Sequence, residues 1–135
     1  MPFLPIGRVL VVDDNEDLAL LFSSLIDLMG YEARAVFSVK AALDVLSIFS
    51  PHVIISDIGM SELSGFDLAR EVKRTISAPP LLISVSGWGD QKTVYESLNA
   101  GFSVHLVKPV SFDRIVQLLS DYFRMNGIGV RFPES

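Results

Sequence analysis

The sequence predicts a doubly wound α/β domain, in which helices cover both faces of a parallel five-stranded sheet. Five short apolar runs alternate strictly with longer segments whose apolar residues recur at helical spacing. Such alternation favours parallel strands, because right-handed crossovers are almost obligatory and each face of a parallel sheet must be covered. The length of 135 residues suits a single domain.

Each predicted strand is too short for a buried helix, and turn residues flank it. Several of the runs are rich in Val and Ile, the residue types that strands favour. The predicted strands are 8–12, 32–36, 52–56, 81–86 and 104–107.

The predicted helices are recognised by apolar stripes at i, i+3, i+4 and i+7 spacing. In chain order, the stripes are Leu18, Leu21, Phe22, Leu25 and Met29; Val39, Ala42, Leu43 and Leu46; Leu68, Ala69, Val72 and Ile76; Val94 and Leu98; and Ile115, Leu118, Leu119 and Tyr122. Capping and breaking residues stand at the expected ends: Ser38 and Ser111 at helix starts, and Gly30, Pro51, 78–80 and Gly101 at helix ends.

Composition excludes several classes of function. The net charge is −5 and the 11 basic residues are scattered singly, which disfavours direct nucleic-acid binding. There is no cysteine, which fits a reducing compartment, and no apolar run long enough to span a membrane. The first residues lack the features of a signal peptide. We therefore expect a cytoplasmic location without membrane contact.

Polar residues follow four of the five predicted strands. They are Asp13 and Asp14 after the first strand, Asp57 after the third, Ser86 at the end of the fourth, and Lys108 with Pro109 after the fifth. Taken singly, such residues are often helix caps, turn formers or solvated side chains. The carboxyl ends of parallel strands, however, form one crevice, where ligands bind in open α/β sheets. Three carboxylates there would repel each other unless a cation neutralised them.

The candidate ligands are all oxygens, which selects a hard cation, and Mg²⁺ is the first choice. A metal, a lysine and a hydroxyl around a carboxylate form the recurring arrangement for phosphoryl transfer. The carboxylate can itself be the nucleophile.

Four motifs in order, "VLVVDDNED", "VIISDIGMSELSGFDL", "SVSGW" and "HLVKPV", resemble the receiver domain of bacterial two-component response regulators, as in the chemotaxis regulator. The resemblance covers residues 7–124 and leaves 125–135, with two Gly and a Pro, as a loose C-terminal tail or the start of a linker. It implies a flavodoxin-like (βα)5 fold with strand order 2-1-3-4-5. It also implies a phosphoacceptor that assists its own phosphorylation and dephosphorylation, and not an enzyme.

The resemblance assigns roles to individual residues. Asp57 would be the phosphoacceptor, with Asp14 as a direct Mg²⁺ ligand, Asp13 acting largely through metal-bound water, and the backbone carbonyl of Gly59 as a further ligand. Ser86 would hydrogen-bond the phosphoryl group and Lys108 would pair with a phosphoryl oxygen, with a cis peptide bond between Lys108 and Pro109.

Receivers act as two-state switches, and the resemblance places Ser86 and His105 at the switching positions. A strand histidine is also commonly a packed or solvated residue. Trp88 flanks the site, where it either shields the phosphoryl group or covers the start of the fourth helix. Ser61 stands where the family usually has Pro, which loosens the loop beside Asp57.

Partners follow from the same resemblance: a histidine kinase or phosphotransfer protein upstream, and an output protein or domain downstream. On the fifth helix, Phe112, Val116 and Phe123 join Ile115 and Leu119 in a wide apolar belt. This belt favours a partner or a homodimer on the face made by the fourth helix, fifth strand and fifth helix. The alternative is that the tail folds back over it.

Rival functions fit less well. A haloacid-dehalogenase-like phosphatase needs Asp-x-Asp after its first strand, and this chain has Asp-Asp-Asn. A flavodoxin needs a Ser/Thr-rich phosphate loop there, whereas residues 13–17 are acidic. A degenerate receiver that acts without phosphorylation and a receiver segment of a hybrid histidine kinase remain alternatives. The motifs "SGWGD" and "GFSVHLVKPV" resemble those of hybrid-kinase receivers.

Overall fold

The computed structural model describes residues 5–60, 62–87, 89 and 91–131. Within these residues five strands alternate with five helices. The strands are β1 (Arg8–Val12), β2 (Glu32–Val36), β3 (Val53–Asp57), β4 (Leu81–Ser86) and β5 (Val104–Val107). The helices are α1 (Glu16–Leu28), α2 (Val39–Phe49), α3 (Gly65–Thr75), α4 (Gln91–Ala100) and α5 (Phe112–Met125).

All strand pairs are parallel, and the sheet order is β2-β1-β3-β4-β5. The flavodoxin-like topology and the predicted strand order are therefore confirmed. Four strands have the predicted bounds, and β3 is displaced by one residue, to 53–57. The displacement puts Asp57 inside the strand, where it is in register with Val85 of β4.

Alternate residues of each strand face opposite sides of the sheet and enter two separate cores. Val9 and Val11 of β1 pack with Ala19 and Ile26 of α1, in a core that also includes α5. Leu10 and Val12 face the other side of the sheet and pack against α2 and α3 in the second core. Because both faces are covered, the middle strands are apolar at nearly every position.

Helix starts are fixed by short polar side chains. Ser38 accepts a hydrogen bond from the Ala41 amide at 3.0 Å, so the predicted cap of α2 is confirmed. Ser64 and Asp67 form a reciprocal capping box at the start of α3. Ser111 occupies the N-cap position of α5, but its side chain makes no capping hydrogen bond.

Helix ends use the left-handed backbone region. Gly30 has φ of 101° and Gly101 has φ of 124°, so the conformation predicted for both glycines is confirmed. Ser50, which precedes Pro51, also adopts positive φ, at 49°, where α2 ends.

Two predicted helix stripes are wrong in part, because each includes an exposed residue. In α1 the buried residues are Ala19, Ser23 and Ile26, and Leu21 lies outside, 54% exposed. Leucines occur on several sides of this helix, so spacing alone did not select the buried side. In α4 the buried residues are Ser97 and Ala100 and not the predicted Leu98.

The apolar belt of α5 is largely used within the domain. Ile115, Leu119 and Phe123 are fully buried in the first core. Phe112 stacks on Phe22 of α1, with ring centroids 6.2 Å apart. The residues that predicted a docking face on α5 therefore serve mainly to pack this helix.

The segment after α5 is attached to the start of the chain. Gly129 forms a parallel bridge with Ile6, donates its amide to the Pro5 carbonyl at 2.8 Å, and accepts a hydrogen bond from the Gly7 amide at 3.0 Å. Ile128 and Val130 pack against the first core. Up to residue 131 the tail is thus held and not loose as expected, because its backbone has partners. The division of the chain at residue 124 stays a prediction.

Among the residues that the structure describes, none of the helices combines the length and the apolar character needed to cross a bilayer.

His52 links the starts of two strands and gives the fold a pH dependence. Its Nδ1 accepts a hydrogen bond from the Arg8 amide at 2.9 Å, and its ring meets Phe123 edge-on. Burial, aided by the Arg8 charge, lowers the pKa of His52 from the ordinary 6.5. Protonation of Nδ1 would also remove the acceptor.

We expect this contribution of His52 to be fully present above pH 6.5, the unfolded pKa, and lost as the pH falls through the lower folded-state pKa. His52→Asn keeps an acceptor but cannot titrate. Urea unfolding of both proteins between pH 5 and 8 should show a difference in unfolding free energy that shrinks as the pH falls. A difference that does not change with pH would contradict this role.

Candidate functional site

Three carboxylates meet at the carboxyl edge of the sheet. Asp13 and Asp14 follow β1, and Asp57 ends β3, the strand beside it. Val12 is in register with Ser56, so the next residues of both strands arrive side by side. One oxygen from each carboxylate lies within 4.8 Å of the others. Asp13 and Asp57 are buried and Asp14 is exposed, so the group opens to solvent on one side.

The turn after β1 fixes Asp13 through hydrogen bonds to the backbone. Asp13 Oδ1 accepts from the Asn15 amide at 3.0 Å, and Asn15 Oδ1 accepts from the Leu18 amide at 3.2 Å. Asn15 is the N-cap of α1. The three residues between β1 and α1 thus orient a carboxylate and start a helix.

The loop after β3 folds tightly behind Asp57. The Ile58 carbonyl accepts hydrogen bonds from the Met60 amide at 3.1 Å and the Gly65 amide at 2.9 Å. A Cβ at Gly65 would lie 2.5 Å from the Asp57 carbonyl oxygen and 3.0 Å from Ile58 Cα. Both neighbours are backbone atoms, so only glycine allows α3 to start this close to the site.

Lys108 brings the positive charge of the site. Its Nζ lies 3.2 Å from Asp57 Oδ1 and 3.8 Å from Asp13 Oδ2. Its amide donates to the Ser86 carbonyl at 2.8 Å, which ties the end of β5 to the end of β4. The predicted cis peptide bond between Lys108 and Pro109 is present.

Asp57 has a raised pKa. Burial, followed by the charge of Asp13, raises its pKa above the ordinary 3.8, and Lys108 offsets part of this effect. Asp14 adds a smaller contribution in the same direction as Asp13. A mostly apolar cavity of about 420 Å³, with Leu18 among its lining residues, adjoins the carboxylates. One ammonium therefore does not fully compensate the negative charge.

The donor set fits a hard divalent cation. The three close side chains offer only carboxylate oxygens, which Mg²⁺ prefers, and one to two carboxylates with waters is its usual environment. Burial and the charge of Asp13 raise the pKa of Asp57 in spite of Lys108, so a cation bound here would favour its ionised form. Gly59, the further ligand predicted through its carbonyl, is exposed two residues after Asp57, and its role stays a prediction.

The two predicted switch residues lie on neighbouring strands. Ser86 is buried at the end of β4, in register with Val107. His105 Nδ1 lies 2.8 Å from the hydroxyl of Ser84. Ser84 was not singled out from the sequence, although it shares a strand face with Ser86. The flanking residue Trp88 lies outside the described residues, as does Ser61, so neither expectation is tested.

Comparison with known proteins defines the class. Residues 9–120 match the response regulator receiver domain family. This match spans most of the chain, and the chain belongs to that family. It is a receiver domain with an acidic pocket made of Asp13, Asp14 and Asp57 beside Lys108, and not a classical enzyme.

Curated relatives include proteins of two lengths. The chain is 31% identical over 114 residues to the chemotaxis protein CheY of Thermotoga maritima, covering 84% of this chain and 94% of that protein. It is 26% identical over 110 residues to the regulatory protein AtoC of Escherichia coli, covering 82% of this chain but only 24% of AtoC. The chain thus spans nearly all of one relative and about a quarter of the other.

Solved structures agree on the fold. The chemotaxis protein CheY4 of Vibrio cholerae has a TM-score of 0.80 at 23% identity, covering 86% of this chain and 98% of that one. The BeF3-activated receiver domain of DrrB has a TM-score of 0.79 at 18% identity, covering 88% and 98%. At these identities the likeness concerns the fold alone.

The close approach at Gly65 predicts a sharp difference between this glycine, at the start of α3, and Gly59 in the loop before it. Gly65→Ala should lower the free energy of unfolding by about 1–3 kcal/mol, because the new methyl meets backbone that cannot move aside. Gly59→Ala is the matched control, since nothing lies within 4 Å of its Cβ position, and it should change stability by less than about 0.5 kcal/mol. Chemical denaturation measures both, and equal effects would contradict the packing described.

The raised pKa of Asp57 predicts that its charge opposes folding. The favourable contribution of its protonated form is complete below the unfolded pKa of 3.8 and is lost as the pH rises through the folded-state pKa. In chelator at neutral pH, Asp57→Asn should therefore raise the melting temperature, and Mg²⁺ should raise that of the wild type more than that of the variant. The exposed Asp44→Asn is the control for loss of a charge. A lower melting temperature for Asp57→Asn in chelator would contradict the prediction.

Proposed function

We propose that Asp57 accepts a phosphoryl group from a histidine kinase or phosphotransfer protein in a Mg²⁺-dependent reaction, as part of two-component signal transduction. The observation that carries this proposal is the position of Asp57 within the pocket. Its carboxylate is buried beside two others and has an ammonium 3.2 Å away. The match of residues 9–120 to the receiver family supports the same role.

The chemistry follows from these side chains. An Asp57 carboxylate oxygen attacks the phosphorus of the donor phosphohistidine as the phosphorus–nitrogen bond breaks. The departing imidazole keeps the electron pair of that bond and takes up a proton, and an acyl phosphate forms on Asp57. Lys108 and the Ser86 hydroxyl stabilise the phosphoryl oxygens, where negative charge is concentrated.

Asp13, Asp14, Asp57 and the Gly59 carbonyl would hold Mg²⁺ in this scheme. A bound Mg²⁺ supplies positive charge that lets an anionic donor approach three carboxylates. Asp13 contributes in a second way, because its backbone-bonded Oδ1 leaves Oδ2 facing Lys108. That contact holds the ammonium between the two buried carboxylates.

The output surface is proposed on the α4, β5 and α5 face. Its exposed apolar side chains are Tyr95 and Leu98 of α4 and Val107 of β5, which are 70%, 51% and 46% exposed. An apolar group of this kind suits an output protein, an output domain or a second copy of the chain. We propose that Ser86 and His105 change this face when Asp57 is phosphorylated.

The context of the domain allows alternatives. The match to AtoC covers 24% of that protein, so a related segment occurs within a longer protein. A receiver segment of a hybrid histidine kinase is therefore a second proposal. A degenerate receiver is disfavoured by the complete set of Asp13, Asp14, Asp57, Ser86 and Lys108. A cytoplasmic location and the lack of direct nucleic-acid binding stay predictions.

The proposed function is tested by phosphorylation in solution. The wild type incubated with acetyl phosphate and Mg²⁺ should gain the mass of one phosphoryl group, whereas Asp57→Asn should gain none and Asp44→Asn should behave as wild type. Beryllofluoride with Mg²⁺ should change the fluorescence of Trp88, the single tryptophan, in the wild type but not in Asp57→Asn.

Equal phosphorylation of wild type and Asp57→Asn would refute Asp57 as the acceptor. A wild type that binds partners but takes up neither phosphate nor beryllofluoride would support the degenerate receiver.

A further inference from the structure

The helix α4 has an unusual buried side. Its buried residues are Ser97 and Ala100, while Tyr95 and Leu98 point outward. Helix α2 instead buries Val39, Leu46 and Phe49 in addition to an alanine. Because transfer of apolar area from water is the main force that fixes a helix on a sheet, α4 gains less of it than α2 does.

A buried polar contact lies where apolar packing is small. The hydroxyls of Ser97 in α4 and Ser84 in β4 are hydrogen-bonded to each other, and both residues are fully buried. Ser84 Oγ also lies 2.8 Å from His105 Nδ1 and 3.2 Å from the Val104 carbonyl. Ser84 and His105 are in register on neighbouring strands. One hydroxyl therefore joins α4, β4 and β5.

The chemistry of a hydroxyl links these contacts to one another. Ser84 has one proton to donate and can accept from the other partners. If it donates to His105 Nδ1, it can accept from Ser97; if it accepts from His105, its proton can go to Ser97 or to the Val104 carbonyl. A change at His105 thus alters which bonds Ser84 makes, and buried hydroxyls are costly to leave unpaired.

We propose that Ser84 and Ser97 are positioning residues for His105, and that the three side chains form a polar latch which couples the orientation of the histidine ring to the position of α4. The inference rests on the proposed function in one respect, because it assumes that α4 belongs to the output surface. It adds a specific path, in which the ring acts on α4 through two serine hydroxyls.

The first test uses the protein without any phosphate mimic. Nitrogen-15 NMR of the imidazole rings reports the state of His105. The chain has two histidines, so the signals that remain in His52→Asn belong to His105. Hydrogen exchange reports the attachment of residues 91–100. Ser97→Ala should raise exchange in α4 about two- to tenfold, the equivalent of one hydrogen bond. It should also shift the His105 ring signals, because it changes the hydrogen bonds of Ser84, the partner of the ring.

The control is Asn99→Ala, an exposed change in the same helix, which should move neither readout. A double-mutant cycle of Ser97→Ala with His105→Ala should be non-additive for α4 exchange. Additive effects, or His105 signals that do not respond to Ser97→Ala, would overturn the latch. If the variants do not fold, the wild-type spectrum decides, since a His105 ring without a hydrogen-bonded Nδ1 would also overturn it.

The second test adds beryllofluoride and Mg²⁺. The latch predicts that this mimic raises α4 exchange in the wild type and gives a smaller further rise in Ser97→Ala, in which the latch is already broken. If the wild type responds and Ser97→Ala shows the same rise, the proposed function stands and the latch is refuted. If the wild type does not respond, the proposed function fails and the measurements without the mimic alone decide the latch.

Discussion

The uncompensated negative charge at the carboxyl edge of the sheet is the constraint on which the site depends. Asp13 and Asp57 are buried within reach of each other, and Lys108 is the ammonium placed between them. Burial, together with the charge of Asp13, raises the pKa of Asp57. The imbalance destabilises the isolated domain, but it also creates a pocket that gains free energy when positive charge enters. A pocket of this kind favours a cation and, with the cation, an anionic group.

Carboxylates that repel each other stay close together only on a rigid scaffold. Parallel strands covered on both faces supply it, because β1 and β3 lie in the middle of the sheet and each contributes residues to two separate cores. The turns that leave these strands are fixed as well, by Asn15 on one side and by the close approach of Gly65 on the other. The acidic side chains thus cannot separate to relieve their repulsion without disturbing elements that are held elsewhere.

The sequence was sufficient for the parts of this domain that depend on periodicity and on strand ends. Strand positions and the meeting of Asp13, Asp14, Asp57 and Lys108 follow from alternating elements and from the geometry of a parallel sheet. The sheet order, in contrast, was implied by the resemblance to receiver domains. The buried side of α4 could not be predicted in the same way, because Leu98 is the more apolar residue, whereas Ser97 is buried with its hydroxyl bonded to Ser84 on β4. Such pairing is a tertiary property that a hydropathy pattern does not contain.

The held tail was missed for a related reason. Two glycines and a proline indicated a loose end, whereas the backbone groups of Gly129 and Arg131 bond with Pro5, Gly7 and Gly30. A mechanical consequence follows. Tension applied to the chain beyond Arg131 is borne first by these few hydrogen bonds, and through Gly7 it reaches the start of β1. Asp13 and Asp14 follow the opposite end of that strand. Tension on the tail and binding of a cation in the pocket therefore act on the two ends of β1.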